Sequence, residues 1–356
     1  LNFKFPQTWR TNIALDQRIG KWVGTAEFMY NRDINGIYYI NANLTEANSA
    51  YTGPDQRPRW TSSAASRINP NIDNAIVMKN QNVGRSWNVA GSLERSFENG
   101  LFVKAAYSYG EAKNTVDPGS IAFGSWSNNA HSADPNNPGL GFSATSPGHR
   151  FFTALSYRRD FLSIGATTIA VFFEGITQGN TSYIFAADAN GDGGSNDLIY
   201  VPRDQSEMRF QQYTSGGVTY TAEQQAAAWD AYIDQDPYLS KRRGQYAERG
   251  AVFLPMVWRA DLSISQELGA MIGSKLSRAQ VRIDVLNFTN LLNKNWGVGQ
   301  RLVSNSPLTN PSVNGDGELQ YRLRAINGEL MNKTFEKTAG TFDVFRLQIG
   351  LRYMFN

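Results

Sequence analysis

The sharpest chemical pattern in this 356-residue sequence is a row of acidic and amide side chains at alternating positions, Asp188, Asn190 and Asp192, with a glycine next. The first half of a calcium-binding loop has this spacing, because a tight turn at its sixth residue aims alternate side-chain oxygens at one hard cation. The usual glutamate at the twelfth position is absent, and Asp197 or Asp204 could take its place. Two interpretations stay open: a structural calcium ion held by Asp188, Asn190, Asp192 and Asp197, or a polar surface loop without an ion.

Four other carboxylates, Glu94, Glu174, Asp261 and Asp284, could in principle act as acid–base pairs. Each falls on or beside the polar face of a predicted strand. The simpler interpretation is that these acids lie beside arginines on a polar inner surface that contacts other parts of the protein. No spacing of serine, histidine and aspartate indicates a hydrolase, and the sequence has no cysteine and two histidines. We therefore expect no enzymatic activity. The residues predicted to line an inner, water-filled wall are Arg259, Asp261, Arg282, Asp284, Arg346 and Arg352.

The elements that position these side chains are predicted to be strands, because apolar and polar residues alternate over about ten residues, enough for a tilted strand to cross a bilayer. The clearest alternation is C-terminal, and the apolar face of this strand consists of Phe345, Leu347, Ile349, Leu351, Tyr353 and Phe355. The pattern occurs again at 101–109 and 258–265. Weaker alternation predicts strands near 8–19, 22–40, 84–97, 148–159, 165–177 and 278–290, which makes nine in all.

The connections between these strands alternate in length. Short turns near 20–21, 98–100 and 160–164, and a somewhat longer one at 268–277, separate four long loops near 41–83, 113–147, 178–255 and 291–341. Outer-membrane barrels sort their connections in this way, whereas a soluble domain has no reason to do so. Within the longest loop, Thr221 followed by Gln224 predicts a capped helix that packs the loop on itself.

Composition and strand number further restrict the class of protein to which this chain can belong. The net charge of +3 comes from basic and acidic residues that are interleaved, so no nucleic-acid partner is expected. The sequence contains no run of eighteen apolar residues, so no transmembrane helix is predicted. The opening LNFKFPQTWR does not have the pattern of a signal peptide, which is what we expect of a fragment or of a processed product. Nine strands are an odd number with two open edges, which lipid does not tolerate. We therefore expect an all-β transmembrane antiparallel barrel completed by further strands.

Three segments carry a family resemblance: 5–10 (FPQTWR) before the first strand, 282–290 (RIDVLNFTN) before the last long loop, and 351–356 (LRYMFN) at the end. Together they resemble the C-terminal barrel region of TonB-dependent outer-membrane transporters, in particular the Oar-like group of Bacteroidota and myxobacteria. The resemblance covers the whole of residues 1–356. It implies a 22-stranded barrel around an N-terminal plug, of which this chain supplies the last nine strands.

The resemblance also implies a location and partners. The location is the outer membrane of a Gram-negative bacterium, with outer-membrane lipid around the barrel. The partners are an upstream plug, the remaining barrel strands, TonB through the N-terminal region, and envelope lipoproteins. The long loops favour a bulky substrate such as a peptide, protein or oligosaccharide.

Two alternative functions stay open from the sequence. A structural or adhesive barrel would use the same long loops to bind a partner and would transport nothing. A passive porin would need an even strand number, and a tenth strand hidden at 319–326 would provide it, although so narrow a barrel leaves little lumen.

Overall fold

The computed structural model describes residues 2–162, 164–272 and 275–354. These residues form an all-β protein with one large antiparallel sheet. Its nine long strands are β1 (Thr8–Ile19), β2 (Trp22–Asp33), β3 (Arg85–Ser96), β4 (Leu101–Asn114), β5 (Gly148–Leu162), β6 (Gly165–Thr177), β7 (Met256–Ile272), β8 (Lys275–Leu286) and β9 (Arg346–Met354).

Each long strand pairs with the long strand that precedes and follows it in the chain, so the sheet is a simple meander from β1 to β9. The nine predicted strands are therefore confirmed, and two of them, 8–19 and 165–177, have the predicted bounds. Within the described residues, β1 pairs only with β2, and β9 pairs only with β8. The sheet thus ends in two open edges.

Two predicted strands were too long. The strand predicted at 22–40 ends at Asp33, and Gly36–Asn41 instead forms a separate hairpin with Ile76–Gln81 in the first long loop. The strand predicted at 278–290 ends at Leu286, because Asn287 adopts a left-handed conformation (φ 51°) that starts a short helix at Phe288–Leu292. Alternation alone could not locate these ends, because both continuations remain partly apolar.

The remaining elements lie in the four long loops. Helices α1, α2 and α3 span Ala122–Ser127, Ala222–Gln235 and Phe288–Leu292, and 3-10 turns span Gln205–Glu207 and Leu239–Lys241. Besides the hairpin already described, short strands pair Ser49–Ala50 with Pro58–Arg59, Asn180–Thr181 with Val252–Phe253, Tyr200–Val201 with Gln245–Tyr246, Tyr213–Ser215 with Val218–Tyr220, Gln300–Leu302 with Phe335–Lys337, Leu308–Val313 with Leu319–Leu323, Ala325–Ile326 with Glu329–Leu330, and Gly141–Phe142 with β4. The tenth strand proposed for a porin is therefore wrong, since Leu319–Leu323 pairs inside its own loop.

The largest hydrophobic core lies among the loops and not in the sheet. We call residues 34–84, 115–147, 178–255 and 287–345 the loop cluster. Each of these four loops contributes to one buried core, for example through Tyr51, Ala130, Tyr183 and Leu308. These loops are therefore ordered despite their length, because their apolar side chains pack against each other.

The predicted capped helix is confirmed in this core. The Thr221 side chain accepts a hydrogen bond from Gln224 N, and the Gln224 side chain accepts one from Thr221 N, which satisfies two amides at the start of α2. The helix buries Trp229, Tyr232 and Ile233 in the core of the loop cluster. It packs the loop on itself, as expected.

Candidate functional site

The two faces of the sheet differ in chemistry. On one face, cross-strand neighbours are apolar: Leu155 lies between Val103 and Val171, and Ile264 lies between Ile169 and Ile283. These side chains are not covered, since Leu155 is 43% exposed and Ile264 is 40% exposed in the middle of the sheet. We call this surface the apolar face.

Aromatic rings on the apolar face form a belt where the strands enter the long loops. The ring of Trp87 contacts Tyr109, whose ring lies 4.4 Å from His149. Further along, Phe173 stacks on Trp258 with ring centroids 5.6 Å apart. All five residues belong to the loop-side ends of β3 to β7.

A second, sparser group of rings lies at the short-turn ends. Trp22 contacts Phe97 at 6.1 Å, and Tyr157 contacts Phe161 at the same distance. From Phe151 to Phe161 the strand advances ten residues, which at ~3.3 Å per residue corresponds to about 33 Å along the strand. The two groups of rings therefore border an apolar band that lies between the two ends of the strands.

The opposite face, which we call the polar face, carries ion pairs. Lys104 Nζ lies 2.7 Å from Glu94 Oε2, and Arg150 Nη2 lies 2.8 Å from Glu174 Oε1. The predicted acids are thus on this face. Glu94 and Glu174 pair with cations that the sequence did not indicate, whereas Asp284 pairs with Arg282, which it did indicate.

All six residues predicted to line an inner wall belong to the polar face by strand register. Asp261, Arg282 and Asp284 border a hollow of about 690 Å³, with Arg282 Nε 2.8 Å from Asp284 Oδ1. Arg259 reaches the last loop instead, where its Nε donates to Gly297 O at 3.1 Å.

The two remaining arginines lie on the edge strand. Arg346 and Arg352 are both exposed on β9. The structure therefore groups three of the six predicted side chains in one hollow and disperses the others along the face.

The hollow indicates that the sheet is curved. Its lining residues come from six adjacent strands, β4 to β9. Neighbouring strands are about 4.8 Å apart, so one hollow can touch six of them only if the sheet bends toward this face. The polar face is therefore the concave side.

The predicted closing strand is β9. Leu347, Ile349, Leu351 and Tyr353 lie on the apolar face, and Leu351 is 82% exposed. Phe345 lies directly before the strand, where its amide donates to Asn290 Oδ1 at 3.3 Å. Phe355, the last residue of the predicted set, lies outside the described residues.

The predicted calcium loop is a tight, largely buried turn of the loop cluster. The Asp188 carboxylate accepts hydrogen bonds from the amides of Asn190, Gly191 and Gly193, and Asp192 Oδ1 accepts one from Gly194 N at 2.6 Å. Gly193 has φ 93°, which explains the glycine at the sixth position. The turn geometry that the sequence predicted is therefore present.

The predicted ligand Asp197 has a different role. Its Oδ2 accepts a hydrogen bond from Ala189 N at 2.8 Å, and its Oδ1 lies 3.3 Å from Arg57 Nη1. Burial, together with the charge of Asp192, raises the pKa of Asp197 to about 6, although Arg57 and His131 lower it. The raised value is consistent with an Arg57 guanidinium already engaged by both carboxylate oxygens of Asp55.

Burial and the neighbouring Asp192 also raise the pKa of Asp188, against the three amide hydrogen bonds that lower it. His131 Nε2 lies 3.2 Å from Asp192 Oδ2, but neither of its ring nitrogens makes a hydrogen bond within the described part of the chain. Nor do three or more histidine, aspartate or glutamate side chains of that part form a group that could hold a metal ion. Asp188, Asp192 and Asp197 therefore do not form one group of three carboxylates.

Sequence reasoning missed two buried arginines that organise the loop cluster. Arg57 is 1% exposed and lies over the ring of Phe185. Arg249 borders a polar cavity of about 330 Å³ and lies 3.3 Å from Asp117. Neither stands in a recognisable motif, because the contacts that join each to another loop are distant in sequence: Asp197 is 140 residues from Arg57, and Asp117 is 132 residues from Arg249.

Two further observations complete the description of the chain. None of the helices in the described ranges is long and apolar enough to cross a membrane. Comparison of the chain with family models, with curated proteins and with solved structures gave no match in any of the three.

Proposed function

We propose that this chain is the closing part of a transmembrane β-barrel in the outer membrane of a Gram-negative bacterium, within a TonB-dependent transporter of the Oar-like group. The apolar face carries the proposal. A water-soluble sheet covers such a face with a second layer, whereas here Leu155, Ile264 and their neighbours are open across nine strands. An exposed apolar surface of this extent marks a contact with lipid or protein.

The aromatic rings favour lipid over protein as the partner of this face. Rings at both ends of the strands, such as Tyr109 and Trp258 on the loop side and Trp22 on the turn side, border the apolar band. Outer-membrane barrels carry aromatic girdles at the two lipid–water interfaces for this reason. The concave polar face then becomes the water-filled interior.

The open edges support a larger barrel. The backbone groups of β1 and β9 that face away from the sheet would be unsatisfied in lipid, which costs several kcal/mol per group. In the proposed arrangement, further strands of the polypeptide connect β1 to β9. The ion pairs of the polar face, such as Lys104 with Glu94, would then contact a plug.

A pair of neighbouring cysteine variants tests the membrane arrangement. The chain has no cysteine, so Leu155→Cys on the apolar face and Ser156→Cys on the polar face each provide a single thiol. In protein reconstituted into lipid vesicles, an environment-sensitive fluorophore on residue 155 should be quenched by quenchers attached to lipid chains. The same fluorophore on residue 156, which borders the hollow, should be protected. Equal quenching at both positions would contradict the proposed membrane arrangement.

Two readouts separate the transporter from the alternatives. In planar bilayers, a plugged transporter stays closed, so a steady open conductance would point to a passive porin. The purified periplasmic domain of TonB should bind a transporter. A closed barrel that does not bind TonB would instead favour an adhesive or structural barrel whose loop cluster meets a partner.

A further inference from the structure

The loop at 188–197 brings together an oxygen set that differs from the one its sequence pattern indicates. Gly193 N donates to Asp188 Oδ2 at 2.8 Å, and the next amide, Gly194 N, donates to Asp192 Oδ1 at 2.6 Å. Two amides that are adjacent in the chain thus hold the two carboxylates on the same turn. A Cβ atom placed on Gly194 would be 3.1 Å from Asp192 Oδ1 and 2.6 Å from Asn196 Oδ1, so both oxygens flank one point.

Asn196 is the residue that distinguishes this arrangement from an ordinary polar turn. It is 2% exposed, and its Oδ1 accepts no hydrogen bond from the residues described. The amide cannot be turned over without loss, because its Nδ2 donates to Asn129 O at 2.7 Å. A buried acceptor beside a carboxylate oxygen, with no protein donor between them, is unfavourable unless a cation or a water molecule joins the two.

The local charge calls for a cation as well. Over the described residues, neither Asp188 nor Asp192 forms an ion pair with a lysine or arginine. The nearby guanidinium of Arg57 is held by Asp55 and Asp197. Two carboxylates in a largely buried turn therefore have no permanent counter-charge, since the one basic group beside them in the described residues is the imidazole of His131, 3.2 Å from Asp192 Oδ2.

We propose that this turn binds a calcium ion through Asp188, Asp192 and Asn196, with Asp197 outside the ligand set. Calcium accepts amide, carboxylate and water oxygens in a flexible geometry, so two carboxylates and an amide suffice as a protein contribution. Magnesium requires a stricter octahedron and gives up its water less readily. The inference goes beyond the proposed function, because it depends only on contacts within the loop cluster.

Terbium, a luminescent calcium substitute, provides the test on the intact protein in detergent. Trp60 N donates to Asn190 O at 2.7 Å, which places a tryptophan next to the turn as a sensitiser. Excitation of tryptophan should produce terbium emission that calcium displaces, with a calcium Kd of about 10⁻⁴–10⁻³ M as in extracellular modules. Absence of this emission, or equally effective displacement by magnesium, would overturn the proposal.

Three variants locate the ion. Asp192→Asn keeps an acceptor for Gly194 N but removes a charge, and should weaken calcium binding by about tenfold or more. Asp204→Asn, on the exposed start of a 3-10 turn in the same loop, is the charge-matched control and should leave binding unchanged. Asn196→Asp should tighten calcium binding while lowering stability in its absence.

Asn196→Asp is expected to raise calcium affinity and to lower stability without calcium. A residue with a merely structural role would lower both calcium affinity and stability, so the two measurements distinguish these roles. Retention of the sheet spectrum by circular dichroism shows that each variant is folded. Equal effects of Asp192→Asn and Asp204→Asn on calcium affinity would contradict the site. The lipid-quenching result at residues 155 and 156 is independent of this outcome, so the two proposals can fail separately.

Discussion

The backbone of Asn41 forms two hydrogen bonds with the side chain of Asn136, 95 residues later, in the pattern of two paired β-strands. Asn41 N donates to Asn136 Oδ1 at 2.7 Å, and Asn136 Nδ2 donates to Asn41 O at 3.0 Å. The side-chain amide of Asn136 thus takes the place of a peptide group. Its Oδ1 also accepts a hydrogen bond from Trp126 Nε1 at 3.1 Å. One asparagine therefore connects the first two long loops.

Replacing this amide should separate the two loops. Asn136→Ala leaves the amide and carbonyl of Asn41 and the indole of Trp126 without partners, at a cost of about 1–3 kcal/mol for each buried group. We expect faster proteolytic cleavage within 34–84 and 115–147, measured by mass spectrometry of the fragments. Asn137→Ala removes the neighbouring exposed side chain and should leave the cleavage rate unchanged. Similar rates for both variants would contradict the role of Asn136.

The core of the loop cluster should unfold separately from the sheet. Trp229 is fully buried and stacks on Tyr232 with ring centroids 5.2 Å apart, so Trp229→Ala should cost about 3–5 kcal/mol. The measurement is protease resistance of the loops together with circular dichroism of the sheet. Trp296→Ala, at a residue that is 53% exposed, is the matched control. A loss of sheet signal in Trp229→Ala would show that the two parts are coupled.

Asp343 should make the last loop sensitive to acid. Burial raises the pKa of its carboxyl, but hydrogen bonds from Gly299, Thr338 and Gly340 and the charge of Arg259 outweigh it, so the pKa lies below its ordinary value. The stabilisation is therefore present above the pKa of the unfolded chain, about 3.9, and is lost as pH falls through the folded value.

The variant Asp343→Asn isolates this effect, because an amide cannot accept from both Gly299 N and Gly340 N. At neutral pH it should lower the free energy of unfolding by about 1–3 kcal/mol. The difference from the wild type should be constant down to about pH 4 and shrink below it. Thermal unfolding followed by tryptophan fluorescence measures it, with Asp316→Asn at an exposed side chain as control. A difference that grows in acid would refute the sign.

Two glycines in short turns should differ in their tolerance of alanine. Both have positive φ, 63° at Gly20 and 86° at Gly100, so alanine is strained in either place. A Cβ on Gly20 meets nothing, whereas one on Gly100 would clash with Arg158 O in the neighbouring strand β5. Gly100→Ala should therefore reduce the yield of refolded protein well beyond Gly20→Ala. Equal yields would show that the turn can move.

The strands were predictable from sequence because their determinants are local. Alternation places Thr8–Ile19 and Gly165–Thr177 correctly, and the capping pair Thr221 and Gln224 marks the start of α2. Each of these patterns is read within about fifteen residues, which is the range over which periodicity and capping act.

The loop cluster was not predictable, because its determinants are distant. The Arg57 guanidinium meets Asp197, 140 residues later, and the Tyr51 hydroxyl donates to Ala189 O, 138 residues later. The sequence pattern of a calcium loop is limited in the same way, because it is local. It predicts the turn at Gly193, but it cannot show that Arg57 engages Asp197 or that Asn196 lacks a donor.

The division between a meandering sheet and a core made of four loops has a consequence for the order of assembly. Among the described residues, every pairing of long strands joins neighbours in the chain, and the pairs with short connections can form as hairpins at little entropic cost. The loop core requires closure over more than a hundred residues, and the completed sheet brings its parts together. We therefore expect the loop core to consolidate last, as Tyr183, Trp229 and Leu308 leave water together.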